Sequence, residues 1–181
     1  MKMLTLSPGQ ADDVRLVNEI TDLVNDVYLV AEKGLWVDGA LRTTVDEIAA
    51  LIRAGQLTVA RGDERIVGCI RIQELDTQTG EFGMLAAATD HRAVGVGRTL
   101  VRFAERKILE SGRGTMQLEL LVPRTWVHPS KKFLAQWYTR IGYTVVREGT
   151  IDDAYPHLAP LLATECNFLI YQKDLRAASG A

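Results

Sequence analysis

Residues 81–110, EFGMLAAATDHRAVGVGRTLVRFAERKILE, decide the fold. An apolar strand at the front of this stretch runs through Arg92-Ala93-Val94-Gly95-Val96-Gly97 into an amphipathic helix. Val96, Leu100, Phe103, Ala104 and Ile108 recur at helical spacing on one face, while Arg98, Arg102, Glu105 and Arg106 fall largely on the other. Glycines in the turn let the main chain pass close to a ligand, and the free amides of the helix start point outward. Together they make a seat for phosphate. Ser111-Gly112 then stops the helix.

Upstream, residues 3–6 read as a first short strand that Pro8-Gly9 breaks. Asp12 and Asp13 place negative charge at the start of a helix with Val17, Ile20, Val24, Val27, Tyr28 and Ala31 on one side. Gly34 and Gly39 mark a loop that holds Trp36, and Thr44-Val45-Asp46-Glu47 predicts a capping box for a second helix through Ile48, Leu51 and Ile52. Residues 57–61 and 65–73 form a hairpin about Gly62-Asp63, with Ile66, Ile70 and Ile72 alternating against Val67, Cys69 and Arg71.

Downstream of the glycine turn and its helix, Met116, Leu118, Leu120 and Val122 alternate with Gln117, Glu119 and Leu121 until Pro123. Strand, helix, strand in this order means a parallel crossover. A loop with Trp126, His128 and Pro129 leads to a helix over 133–141, a strand over 143–147, a Pro-bearing connection over 149–164 with a short helix, and a last strand over 167–172. A single domain over residues 1–175 with a frayed tail at 176–181 is expected.

A chain of 181 residues with 47% hydrophobic and 24% charged content is ordinary for one soluble domain. Its net charge of -2 supplies no basic field for a polyanion, so nucleic acid is not the expected partner and small molecules or protein side chains fit better. Cys69 and Cys166 are the only cysteines, which points to reduced thiols. No stretch has the length of a signal peptide or a membrane span, so a cytoplasmic location without membrane attachment is expected. His91, His128 and His157 lack HExxH or Cys/His spacing, and no metal site is expected. Rival phosphate loops fail on spacing, since neither GxxxxGK[ST] nor GxGxxG with its acidic partner occurs.

This order of elements, with Arg92-x-x-Gly95-x-Gly97 between a central strand and its helix, resembles the GCN5-related N-acetyltransferase (GNAT) superfamily. Trp137-Tyr138-Thr139-Arg140-Ile141-Gly142-Tyr143 looks like the second recurring element of that superfamily. The resemblance implies an α/β fold with a mixed central sheet of about six to seven strands, flanked by helices and splayed between the central strands. It implies direct transfer of an acetyl group from acetyl-CoA to an amine in a ternary complex. The acceptor is expected to be a small-molecule amine, with a protein amine as the second choice, and a homodimer is compatible with the family. A non-catalytic acyl-CoA-binding sensor or scaffold is the alternative.

The same resemblance assigns site residues. Arg92, Ala93, Val94, Gly95, Val96, Gly97, Arg98 and Thr99 would surround the diphosphate of acetyl-CoA, and Leu85 and Ala87 would offer main chain to its pantetheine arm. An amide near Leu85 or Ala86 would donate to the acetyl oxygen. An alkyl ammonium has a pKa of roughly 10.4 and must lose a proton to attack, so a base is needed. Glu81 lies eleven positions before Arg92, where histone-acetylating relatives carry their glutamate base; a solvated residue at a strand start is the plain alternative. Glu119 is the second candidate, with a strand-face ion pair as its alternative, and Glu74 the third. Tyr138, four residues before Gly142, would protonate the leaving thiolate, or else pack with Trp137 and Phe133 as a core aromatic. Lys131 stands where relatives often have Asn, as a solvated helix-start lysine or a ligand to a CoA phosphate. Tyr28, Glu32 and Trp36 are the acceptor-pocket candidates, joined by Trp126, His128, Tyr155 and His157.

Overall fold

The computed structural model describes residues 1–63, 65–88 and 95–177. Strands β1 (Lys2–Thr5), β2 (Leu57–Arg61), β3 (Ile66–Glu74), β4 (Thr79–Ala87), β5 (Thr115–Pro123), β6 (Thr144–Gly149) and β7 (Cys166–Asp174) make one mixed sheet in the order β1-β2-β3-β4-β5-β7-β6. Helices α1 (Val14–Ala31) and α2 (Val45–Arg53) pack on one face through Val17, Ile20, Val24, Ile48 and Ile52. Helices α3 (Val96–Glu110) and α4 (Pro129–Arg140) pack on the other through Leu100, Ala104, Ile108 and Tyr138. A short helix α5 (Ile151–Ala154) and a 3-10 turn (Ala159–Leu161) occupy the connection between β6 and β7.

Local chemistry sets these elements. Asp13 caps α1, its carboxylate accepting from the amides of Arg15 and Leu16 at 3.1 Å each. Thr44 caps α2 by accepting from Glu47 N at 3.1 Å. The reciprocal half of the expected capping box is not made, because the Glu47 carboxylate accepts from the Thr43 hydroxyl at 2.8 Å instead. Ile66 also departs from the expected alternation. The β2–β3 pairing skips Val67, and this extra residue turns Ile66 into the core under α1 while Ile70 and Ile72 face α3. At the other end of the chain, Arg176 Nη2 donates to Gly112 O at 3.1 Å, and residues 178–181 lie outside the described residues.

The feature that shapes the site is the junction of β4 and β5. Each strand has nine residues, yet they pair in parallel only from Thr79 to Glu81 against Thr115 to Gln117. Beyond that point the strands part and leave a V. On its other edge β4 breaks register with β3 between Cys69 and Arg71, and opposite this break Met84 sits at φ 48°. Met84 is the single non-glycine residue with positive φ among the described residues. A left-handed residue inside a strand is a costly conformation that bends the chain, and here the bend carries β4 away from β5.

Candidate active site where two central strands part

Helix α3 begins beside the wide end of the V. A Cβ on Gly68 would lie 2.7 Å from Val96 Cγ1, so glycine at 68 lets the start of α3 rest directly on β3. Gly95 is the N-cap at φ 76°, a left-handed conformation that glycine adopts without steric cost. Thr99 turns back on it, donating to Gly95 O from its amide at 3.0 Å and from its hydroxyl at 3.1 Å. The three amides that follow the cap, those of Val96, Gly97 and Arg98, have no acceptor within the helix and stand at the positive end of its dipole. A Cβ on Gly97 would meet nothing within 4 Å among the described residues. His91, Arg92, Ala93 and Val94, the rest of the expected diphosphate loop, lie outside the described residues.

The parted edge of β4 supplies the second element. Ala88 N donates to Val67 O at 2.9 Å, which turns the main-chain groups of Ala88 toward β3. Alternation along the strand then directs those of Ala87, and of Leu85 two residues earlier, into the V. Ala86 is paired with Cys69 and turns the other way, so the expected oxyanion contact falls to Leu85 and not to Ala86.

At the vertex stands Glu81, opposite Gln117 in the last rung before the strands part. It is 2% exposed and not the solvated strand-start residue that its position after Gly80 suggests. Its Oε1 accepts from Arg71 Nη2 at 2.7 Å and Gln73 Nε2 at 2.9 Å, and its Oε2 from Gln117 Nε2 at 3.0 Å. Gln117 Oε1 in turn accepts from Gln172 Nε2 at 2.9 Å. The network ties β3, β4, β5 and β7 together at the point where the V begins.

Glu119 lies two residues further along β5 on the same face, half-buried. Its Oε2 accepts from the Tyr155 hydroxyl at 2.7 Å, and among the described residues no cation lies within 4 Å to form a strand-face ion pair with it. Burial and the neighbouring Glu81 charge push its carboxyl above the usual carboxylate range, against Tyr155, Arg71 and Arg147, which pull it down. Glu74 is removed from this cluster and pairs with Arg113 at 2.6 Å.

Tyr138 projects from α4 into the core, 5% exposed, with its ring centroid 6.1 Å from those of Phe82 and Tyr143 and 6.2 Å from that of Tyr171. Trp137 also stacks on it at 5.1 Å, whereas Phe133 points to solvent at 59% exposure and takes no part. Burial raises the Tyr138 hydroxyl far above its ordinary value, with smaller contributions from Tyr28 and Tyr171. The hydroxyl is therefore a proton donor across the neutral range.

Three connections knit into a wall over the α1 face. Glu32 at the end of α1 accepts from Trp36 Nε1 at 2.6 Å and forms an ion pair with Lys131 of α4. Lys131 is 5% exposed, so it is neither a solvated helix-start lysine nor free to meet a phosphate. Val37 N donates to Leu161 O at 2.8 Å and Ala163 N to Leu35 O at 2.9 Å, joining the loop after α1 to the connection between β6 and β7. His128 Nε2 lies 3.2 Å from Lys33 O, and the Trp126 ring packs 5.3 Å from that of His128. Tyr28 lies under the Arg42 guanidinium, 5.1 Å from ring centroid to carbon, and burial pushes its hydroxyl up to about 12. The main chain at Arg42 is pinned by Asn25, whose Oδ1 accepts from Arg42 N at 3.0 Å and Thr43 N at 3.1 Å.

Sequence reasoning missed Arg42, the Met84 bend and the pairing of Tyr155 with Glu119. The first and last are contacts between distant segments, and methionine carries no local signal for a left-handed residue. Among the described residues no group of three or more His, Cys, Asp or Glu side chains could hold a metal, and no helix is long and apolar enough to cross a membrane.

Residues 53–145, from the end of α2 through the parted strands into β6, match the acetyltransferase (GNAT) domain family. The chain belongs to this family. UPF0039 protein C11D3.02c of Schizosaccharomyces pombe (strain 972 / ATCC 24843) is 23% identical over 146 residues, which cover 81% of this chain and 87% of that protein. Among solved structures, smu.2055 from Streptococcus mutans UA159 superposes with a TM-score of 0.69 at 19% identity, over 97% of this chain and 99% of that one. The yncA structure from Salmonella typhimurium, solved with its cofactor acetyl-CoA, gives a TM-score of 0.65 at 14% identity, over 97% and 94%. Both show the same helix-flanked mixed sheet.

Proposed function

We propose that this protein is an N-acetyltransferase that moves the acetyl group of acetyl-CoA to an amine by direct transfer, with a small-molecule amine as acceptor. The observation that carries the reading is the V past Glu81 and Gln117, with the first-turn amides of α3, which have no acceptor within the helix, at its wide end. The main-chain amides of Val96, Gly97 and Arg98, with Thr99 bracing the cap, hold the diphosphate, and the open edge of β4 at Leu85 and Ala87 takes the pantetheine arm. Acetyl-CoA bound in this way supplies an acyl group activated as a thioester.

The protein groups then act in order. The Glu119 carboxylate takes a proton from the acceptor ammonium, and the neutral nitrogen bonds to the acetyl carbon as the carbon–sulfur bond breaks. The Leu85 amide donates to the acetyl oxygen as charge builds there. Tyr138 gives its proton to the departing sulfur, and the second proton lost by nitrogen restores it. Each turnover yields the amide, the CoA thiol and one proton. Glu81 acts as the clamp of the vertex, since three donors from the two neighbouring strands already occupy its oxygens. Tyr28, Glu32 and Trp36 form the acceptor wall.

The test is release of CoA thiol across an amine panel, with acceptor-dependent release expected; tight acetyl-CoA binding without release would favour a binding-only sensor. Tyr138→Phe keeps the aromatic packing and removes the proton, so kcat should fall about 100-fold with acetyl-CoA affinity retained. Unchanged kcat in steady-state assays would end the acid role. Gly97→Asp places a side chain in open space at a helix start, where aspartate favours the helix. The fold should stand while acetyl-CoA affinity, read by calorimetry, falls at least tenfold.

A further inference from the structure

We propose that Tyr155 is the positioning residue of this site: its hydroxyl, 2.7 Å from Glu119 Oε2, holds the carboxylate by one oxygen and leaves the other to meet the acceptor nitrogen. The assignment rests on the acetyl-transfer reading above and adds to it a residue from outside the sheet.

The geometry comes from a segment outside the sheet. Tyr155 follows α5 in the connection between β6 and β7, and its ring stands edge-on to Phe168 at 5.9 Å and to His157 at 6.3 Å. Phe168 is paired with Leu121, two residues beyond Glu119, so packing against β7 aims the Tyr155 hydroxyl at Glu119. The phenol is half-buried, and burial together with the Glu119 carboxylate raises it well above its ordinary value, so it remains a donor throughout the working range.

The contrast with Glu81 is the reason to place the base here. Glu81 has three donors on its two oxygens, among them a guanidinium, whereas Glu119 has a single donor and no ion pair within 4 Å among the described residues. The charged and titratable groups that act on Glu119 are Glu81 from β4, Arg71 from β3, Arg147 from β6 and Tyr155 from the connection. Glu81 raises its proton affinity, and the other three lower it. Because Tyr155 donates to the ionised form, removing its hydroxyl must raise that affinity further.

The connection that bears Tyr155 also bears Leu161 and Ala163, which bond to the loop after α1. The wall expected to hold the acceptor and the group that orients the base are thus one continuous segment. A substitution in this connection that alters acceptor selection should also alter the protonation of Glu119.

Tyr155→Phe tests the assignment, since the ring and its contacts with Phe168 remain. In the wild type, kcat/KM should rise with pH along an acid limb set by Glu119. In Tyr155→Phe that limb should move to higher pH by about one unit, the worth of one hydrogen bond to a carboxylate. Carboxyl 13C NMR of glutamate-labelled protein should show the Glu119 titration moving upward by the same amount without any acceptor present. A loss of activity equal at every pH, with the Glu119 titration unmoved, would overturn the assignment. Absence of amine-dependent thiol release from the wild type would instead sink the acetyl-transfer reading itself.

Discussion

Glu119→Gln is expected to lower kcat/KM by about 10²- to 10⁴-fold and to erase the acid limb of its pH profile. The substitution preserves shape and can still accept from the Tyr155 hydroxyl through its amide oxygen, so the wall and the V should keep their form. What is lost is the proton acceptor. Because burial and Glu81 hold the Glu119 carboxyl above the usual carboxylate range, the limb in the wild type should fall above the pH at which a solvated glutamate ionises. Below that limb the group is protonated and idle; above it the carboxylate can take the ammonium proton. A Glu119→Gln enzyme that keeps both its rate and its limb, measured by thiol release from pH 5 to 9, would return the base role to another group.

Glu81→Leu should act through the fold. The leucine cannot accept from Arg71, Gln73 or Gln117, and the partly buried Arg71 guanidinium loses its counter-ion. Breaking one side of such a pair costs about 3 kcal/mol. For a chain of 181 residues that is a fall in Tm of roughly 10 °C. The same loss loosens the last rung between β4 and β5, so acetyl-CoA affinity should fall with it. The milder Glu81→Gln separates the clamp from a base. Removing the Glu81 charge leaves burial as the main cause that raises Glu119 but takes away the second, so the acid limb should shift to lower pH, opposite in sign to Tyr155→Phe. Disappearance of the limb in Glu81→Gln would make Glu81 the base after all.

The parts of this molecule that could be read from the chain are those fixed locally. The face of α3 follows from 3.6-residue spacing, its start from glycines at 95 and 97, and the strand of alternating residues before Pro123 from a period of two. The splay came from family resemblance and not from spacing, since nothing in residues 79–87 announces that Met84 adopts a positive φ. Ile66 was misplaced because a single skipped residue, Val67, inverts the faces of everything before it. For Glu81 the sequence offers a base by its spacing from Arg92 and a solvated strand-start residue by its place after Gly80, and neither reading shows its buried partners. Its donors stand 8, 10 and 36 positions away, and only the sheet brings them together. Lys131 and Glu32 are separated by 99 positions, and the ion pair that buries them leaves no local trace. Sequence therefore located the strands and the start of α3, while the roles proposed for the carboxylates rest on their partners.

The central claim is that the free amides at the start of α3 and along the parted edge of β4 hold acetyl-CoA. Backbone amide NMR of the labelled protein, titrated with acetyl-CoA, tests this at the atoms concerned. Saturable shifts are expected for Val96, Gly97 and Arg98 and for Leu85 and Ala87, with the amides of β1 and β2 unmoved. Saturation with those five amides unchanged would place the cofactor elsewhere and contradict the account.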